Sequence, residues 1–330
     1  MSELGRLIAR RIALTGPISV ADFMAEALGH PRLGYYRRAQ PLGATGDFTT
    51  APEISQMFGE LVGACLADCW LRAGAPAAAV YAELGPGRGT LAADALRVIR
   101  QAGFSGTAHL VETSPSLRQK QALLVPDARF HDRIEDLPSA PVMLAANEFL
   151  DALPIRQWVG DEERAVTLDA GRLAFSIDGE IQEDSPAREV AATAIARHLM
   201  RHGGVALIID YGHSRTAPGD TLQAVRSHEY ANPLADPGEQ DLTSHVDFET
   251  IGRAAQAAGA HVSKLVTQGE WLRRLGIEQR AQSLIASNPD KRHHIDQALH
   301  RLCGLDEMGE LFKVMAIRSP HWPEPAGFEP

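Results

Sequence analysis

The chain has 330 residues, 45% of them hydrophobic and 22% charged, with a net charge of −10 and a pI near 5.7. These are the proportions of an ordinary globular protein with enough chain for one large or two modest domains. The acidic balance argues against a nucleic-acid backbone as partner, which calls for basic surfaces, and suits a cationic one.

At the amino end, Met1-Ser2-Glu3 offers no basic region leading into an apolar one, so no secretory signal is expected. Arg6, Arg10 and Arg11 give the start a faintly basic amphipathic look, but Glu3 and the lack of a serine-rich tract weigh against a mitochondrial presequence. No apolar run approaches the roughly 20 residues that span a bilayer, so no integral membrane segment is expected. Leu4, Leu7, Ile8 and Ile12, then Val20, Phe23, Met24, Ala27 and Leu28, recur at helical spacing on either side of Gly16-Pro17, with Ser19 as cap of the second helix. Residues 31–50 are turn-rich and carry Tyr35-Tyr36 and the start of Gly46-Asp47-Phe48-Thr49-Thr50-Ala51-Pro52-Glu53-Ile54-Ser55. A long helix from about 53 to 73 is predicted next. Its Cys65 and Cys69, four apart on an apolar face, read as buried thiols. With Cys303 they form no metal or disulfide framework, which fits a reducing cytoplasm.

Val80-Tyr81-Ala82-Glu83-Leu84 is a short apolar run ending at an acid, and Gly85, Gly87 and Gly89 follow before a helical pattern begins. A strand, glycine loop and helix in succession let backbone approach a nucleotide-like ligand closely. The third glycine is Gly89 and not residue 90, so the dinucleotide fingerprint is not met, and no Gly-Lys-Ser/Thr follows to make a P-loop. Glu83-x-Gly85-x-Gly87-x-Gly89 resembles motif I of the S-adenosylmethionine-dependent methyltransferases. Another Rossmann-type binder, or a glycine turn that only packs helix on strand, are the other readings. The next predicted strand, 107–112, ends in Glu112, an acid suited to accept both ribose hydroxyls and to disfavour a 2′-phosphate. Glu112 also precedes Ser114-Pro115, a helix-start signal that it could simply support.

Strands at 128–131 and 141–146, with helices at about 90–101 and 115–123, continue the alternation of a parallel sheet. Short alternating runs at 155–159, 164–168 and 173–177 break it and predict an antiparallel insertion at about 155–180. A helix at 186–201, a strand at 205–210, a helix near 246–258, a strand at 261–267, a helical stretch at 269–303 and a last strand at 311–317 follow. The proline-containing tail after Ser319 is expected to be loosely ordered. This divides the chain into an amino-terminal helical segment, 1–75, a main domain, 76–320, and a tail, 321–330.

Asn147, Glu148 and Asp151 begin at the carboxyl end of the fourth strand, where open α/β sheets hold ligands. Two acids on one loop can give a guanidinium planar, bidentate contacts and orient one nitrogen for displacement. Asn147 capping the next turn with solvated acids is the plainer reading. Asp210, ending the fifth strand, either faces the same cleft or makes a strand-end turn. Ser244-x-x-Asp247 looks like a capping box, and His245 within it could add a proton acceptor. His198 and His202 lack the glutamate of a zinc motif between them and read as solvated helix positions, so no metal is expected.

Taken together, Gly46–Ser55, Glu83–Gly89, His109–Glu112, Asn147–Pro154, Ile209–Gly212 and Asp241–Asp247 resemble, in order, the motifs of the MidA family of protein arginine methyltransferases. The resemblance spans nearly the whole chain. It implies a Rossmann-like class I methyltransferase fold, α/β with a mostly parallel seven-stranded sheet. Its cofactor would be S-adenosyl-L-methionine, and its amino-terminal segment would cover the active site. It further implies symmetric dimethylation of an arginine on the 49-kDa-type (NuoD-like) subunit of NADH:quinone oxidoreductase, in assembly of respiratory complex I. The setting would be the cytoplasm of a bacterium or the matrix of a mitochondrion, and a homodimer is open to such a protein. Phe48, Thr49 and Ser55 would line the cofactor or acceptor pocket beside Glu83, Gly85, Gly87, Gly89, Glu112 and Asn147. Asn147, Glu148, Asp151 and His245 would attend the acceptor.

Overall fold

A computed structural model describes residues 1–37, 50–226 and 229–329. The central sheet is built from β1 (Val80–Leu84), β2 (Ala108–Val111), β3 (Arg129–His131), β4 (Val142–Asn147), β5 (Gly204–His213) and β6 (Phe312–Arg318). Every residue of β1, β2 and β4 is buried, as expected of strands covered by helices on both faces. The strands lie in the order β3-β2-β1-β4-β5-β6, parallel except for β6. The order reverses between β1 and β4, so their carboxyl ends open a crevice at the switch point. Register aligns the tips there: Glu83 lies opposite Ala145, and Leu84 opposite Ala146.

Nine strands, not seven, make up this sheet among the described residues. Val246–Asp247 adds to the tip of β5, and the strand expected at 261–267 is two pieces, His261–Val262 and Val266–Thr267, both on β6. Ser263 divides them because its hydroxyl accepts the amide of Ala316 at 2.9 Å, a bond that a regular ladder would give to backbone. The helical stretch expected at 269–303 is likewise three helices, parted at the left-handed Gly276 and at Asn288-Pro289. The helix expected from 53 starts at Gln56, after a separate turn, Ala51–Ile54.

One face of the sheet carries the helices Gln56–Arg72 and Thr90–Gln101. They touch closely at Gly63, where a Cβ would stand 2.6 Å from the Ala95 carbonyl oxygen. The other face carries Pro186–His202 and Phe248–Ala257. A second, smaller core lies apart from both. Leu4, Ile8 and Ile12 of the helix Glu3–Thr15, and Phe23, Met24 and Leu28 of Val20–Gly29, pack there against Ile155, Val166, Ala224 and Leu242. Ile18–Ser19 pairs antiparallel with Glu162–Asp169, so the first residues of the chain and the insertion share one five-stranded sheet, which runs on to Asp184. Helix 56–72 belongs to the main core instead. The tail also departs from expectation: Trp322 and Phe328 are buried, and Ala326 and Pro323 accept the thiols of Cys65 and Cys69. Those apolar side chains cover a helix face that would otherwise be bare.

Candidate active site

The switch-point crevice is a cavity of about 580 Å³ lined from both cores. Glu83, Gly85 and Gly87 come from β1 and its loop, Glu112 from the end of β2, and Asn147, Glu148 and Asp151 from the end of β4. Met24 and Leu28 face it from the small core. Eight acidic and three basic residues line it among the described residues, a local excess well beyond that of the whole chain. Such a field favours a cationic ligand.

Gly87 adopts φ 54°, a conformation strained for any side chain, and its carbonyl accepts Gln121 Nε2 at 2.8 Å. The cavity thus meets bare backbone at this loop. Gly89 instead caps helix 90–101 and packs on Gln121, away from the lining. Glu112 uses one carboxylate oxygen for the amide of Ser114 at 2.7 Å; the other accepts Gln121 Nε2 at 3.4 Å. Ser114 caps the following helix, so the helix-start reading of this stretch holds. Glu83 is buried and takes the Tyr81 hydroxyl at 2.7 Å. Burial pushes its carboxyl up to about 8 although that bond favours the charge.

The loop after β4 is held under strain. Glu148 has φ 50°, unusual for a side-chain-bearing residue, and its Oε1 takes Asn147 Nδ2 at 3.1 Å and the Ala51 amide at 3.3 Å. Burial, then the nearby Asp151, pushes Glu148 up to about 8. Burial raises Asp151 too, against the pull of Arg188 and Tyr211. Asn147 Oδ1 and Asp151 Oδ1 are buried and have no hydrogen-bond partner among the described residues. Buried polar atoms without partners at a cavity wall are where a ligand is expected to bond.

Two groups hold this loop from behind. Asp210, fully buried, accepts the amides of Leu150 and Asp151 at 3.0 and 3.2 Å, so it makes the turn and does not line the cavity. Arg188, which the sequence reading missed, donates to the carbonyls of Leu150, Asp151, Ser244 and His245 and to the Ser244 hydroxyl. Arg188→Leu would strip these acceptors and leave Asp151 and Asp210 without their buried countercharge. We expect a loss of about 3–5 kcal/mol, read from the urea midpoint.

Other expected residues fall outside the cavity. His245 bonds through its backbone, and its ring stands edge-on to Tyr211 at 5.6 Å, so no acceptor-side role follows. Asp247, not Ser244, caps the next helix. Ser55 caps helix 56–72, accepting the Met57 amide, because the chain breaks from one helical turn to the next at that residue. Phe48 and Thr49 lie outside the described residues. The cavity also takes in Tyr36 from the turn-rich segment, Asp241 at the start of the Asp241–Asp247 motif, and the Asp132–Glu135 loop, which no sequence motif marked.

The comparisons with known proteins agree with this geometry. A family model described as a putative S-adenosyl-L-methionine-dependent methyltransferase matches residues 61–178 and 166–266. The protein arginine methyltransferase NDUFAF7, mitochondrial, of Danio rerio is 36% identical, over 94% of this chain and 85% of the relative. The Drosophila melanogaster homologue is 35% identical over 96% and 84%, and the human protein 33% over 96% and 83%. Among solved structures, a likely methyl transferase from Burkholderia thailandensis bound to S-adenosyl-homocysteine superposes with a TM-score of 0.88 at 28% identity, over 98% of this chain and 93% of that one.

Fold, glycine loop and acid-lined crevice therefore define an S-adenosylmethionine-dependent methyltransferase. More narrowly, the chain belongs to the MidA family, to which the mitochondrial NDUFAF7 proteins are its relatives. The residues present fit the cofactor: Gly85 and Gly87 would receive its backbone-hugging part, Glu112 its ribose, and the acids its positive charge. When bound it supplies an electrophilic methyl on a sulfonium.

A pH dependence follows. In the unfolded chain the glutamates ionise near 4.5, whereas folded Glu83 and Glu148 hold their protons up to about 8. The folded state binds more protons across that window, so ligand-free stability falls as pH rises from 4.5 to 8 and then levels. A cationic cofactor favours ionised Glu83, so cofactor affinity should climb over the same range with proton release. Thermal melts from pH 5 to 9, with and without S-adenosylmethionine, would show it; ligand-free stability that rises toward pH 8 would contradict it.

Proposed function

We propose that this protein transfers a methyl group from S-adenosylmethionine to an arginine of a protein substrate. The observation that carries the reading is the pair Glu148 and Asp151 on one strained loop, two acids in a crevice with a buried oxygen that has no partner among the described residues. A planar guanidinium can satisfy both at once with bidentate bonds of fixed geometry. Met24, Leu28, Val190 and Ala194 line the same cavity, an apolar surface suited to the methylenes of an arginine stem. In the step itself, one guanidinium nitrogen forms a bond to the methyl carbon as the sulfur–carbon bond breaks, leaving S-adenosylhomocysteine. Glu148, with an affinity for protons near neutrality, accepts the proton that the nitrogen gives up.

The relatives' names support arginine as acceptor, and the motif resemblance supports the 49-kDa-type subunit of NADH:quinone oxidoreductase, dimethylated symmetrically, as substrate. We further infer that residues 3–37 act as the cover on the acceptor side. Incubation with labelled S-adenosylmethionine and cell extract, followed by hydrolysis of the labelled band, tests the reading. Label on dimethylarginine in a protein is expected. Label in a small metabolite would make the enzyme a small-molecule methyltransferase, and no label at all would leave a scaffold for assembly.

A further inference from the structure

The cavity has a second wall, from the small core, whose residues have no part in the reaction described above. Asp241, 5% exposed, lies on the strand Asp241–Thr243 of the small core, and the hydroxyl of Tyr36 donates to its Oδ1 at 3.1 Å. Both line the same cavity as Glu148 and Asp151. The Tyr36 phenol resists ionisation because of burial and because it faces the negative charge of Asp241 and also of Asp151, so these groups are neighbours across the space. Local structure fixes the phenol. Tyr35, 1% exposed, anchors the turn in the small core, and Arg37 donates to the Thr113 carbonyl at the tip of β2 at 2.6 Å. The turn Tyr35–Arg37 therefore bridges from the small core to the central sheet across the crevice.

Asp151 Oδ1 is, with Asn147 Oδ1, one of two buried oxygens of the lining without a partner among the described residues. A phenol whose proton is committed to Asp241 keeps a lone pair to accept from an N–H donor. Asp241 adds a negative charge from a chain segment remote from the Asn147–Pro154 loop.

We propose that Tyr36 and Asp241 bind the guanidinium of the acceptor arginine from the side opposite Glu148 and Asp151, so that the substrate is recognised at the seam between the two cores. This rests on the reading of the protein as an arginine methyltransferase. The sheet side supplies the proton acceptor, and the small-core side supplies selection for a cation with several N–H donors. A neutral acceptor, or one with a single N–H, would leave Tyr36 or Asp151 unbonded.

The test is methyl transfer with labelled cofactor and the isolated 49-kDa-type subunit, by wild type, Tyr36→Phe and Asp241→Asn, with S-adenosylhomocysteine binding measured by calorimetry. Both variants should raise the KM for the protein roughly ten- to a hundredfold, the scale of a hydrogen bond to a charged group, while cofactor Kd stays within about twofold. An unchanged acceptor KM with arginine still labelled would overturn this assignment alone. Cofactor binding lost in step with acceptor binding would also overturn it, since the residues would then only hold the fold. Wild type that labels no arginine would remove the functional reading, and this one with it. Asp241 is buried, so thermal melts accompany the kinetics; if Asp241→Asn does not fold, Tyr36→Phe, a loss of one hydroxyl at a half-buried position, is the deciding variant.

Discussion

Glu148→Gln is expected to bring methyl transfer down by about two to four orders of magnitude, the range that a positioned general base contributes. Cofactor affinity should be little changed. The amide keeps an oxygen for the Ala51 N–H and the Asn147 side chain, and it keeps the shape of the loop. It removes the negative charge facing the acceptor and the only role that a carboxylate alone can fill, taking up a proton. The pH profile separates these effects. Wild-type kcat/KM should rise toward pH 8 as Glu148 ionises; the residual rate of the variant should lack that limb. Full turnover by Glu148→Gln, or an unaltered profile, would take Glu148 out of the chemistry and leave Asp151 to explain it.

Gly87→Val should have an equally large effect on a different measurement. Gly87 sits at φ 54° in the cavity wall, so a β-branched residue there is strained by about 1–3 kcal/mol and would project into the space a ligand must enter. Calorimetric titration with S-adenosylmethionine should show no heat of binding at concentrations that saturate the wild type, with the fold retained by circular dichroism. Undiminished binding would mean that the cofactor does not approach this loop.

Much of the sheet was legible because its signals are local. Val80–Leu84 and Val142–Asn147 are apolar at every position but the tip, and the acids Glu83, Glu112 and Glu148 stand where a strand gives way to a loop. What the sequence could not say is which way a strand-end acid turns. Asp210 has the same local context as Glu83, yet the amides it accepts belong to residues some 60 positions earlier. His245 and Ser55 sat inside motifs; the structure has the Thr221 hydroxyl accept the His245 amide and makes Ser55 a local helix cap. Arg188 looked like any charged residue early in a helix; only the convergence of two loops makes it buried. Tyr36 and Asp241 are 205 residues apart and carried no shared pattern. The tail showed proline and little periodicity, and Trp322 and Phe328, its two large apolar side chains, were the one hint that it packs.

The small core has a consequence for how the chain is made. Leu4, Ile8 and Ile12 leave the ribosome well before Val166, Ala224 and Leu242, which cover them. At ordinary elongation rates the delay is roughly 10–40 s. For that time a greasy amphipathic helix stands without the partners that will bury it, a natural client for a chaperone waiting at the exit tunnel.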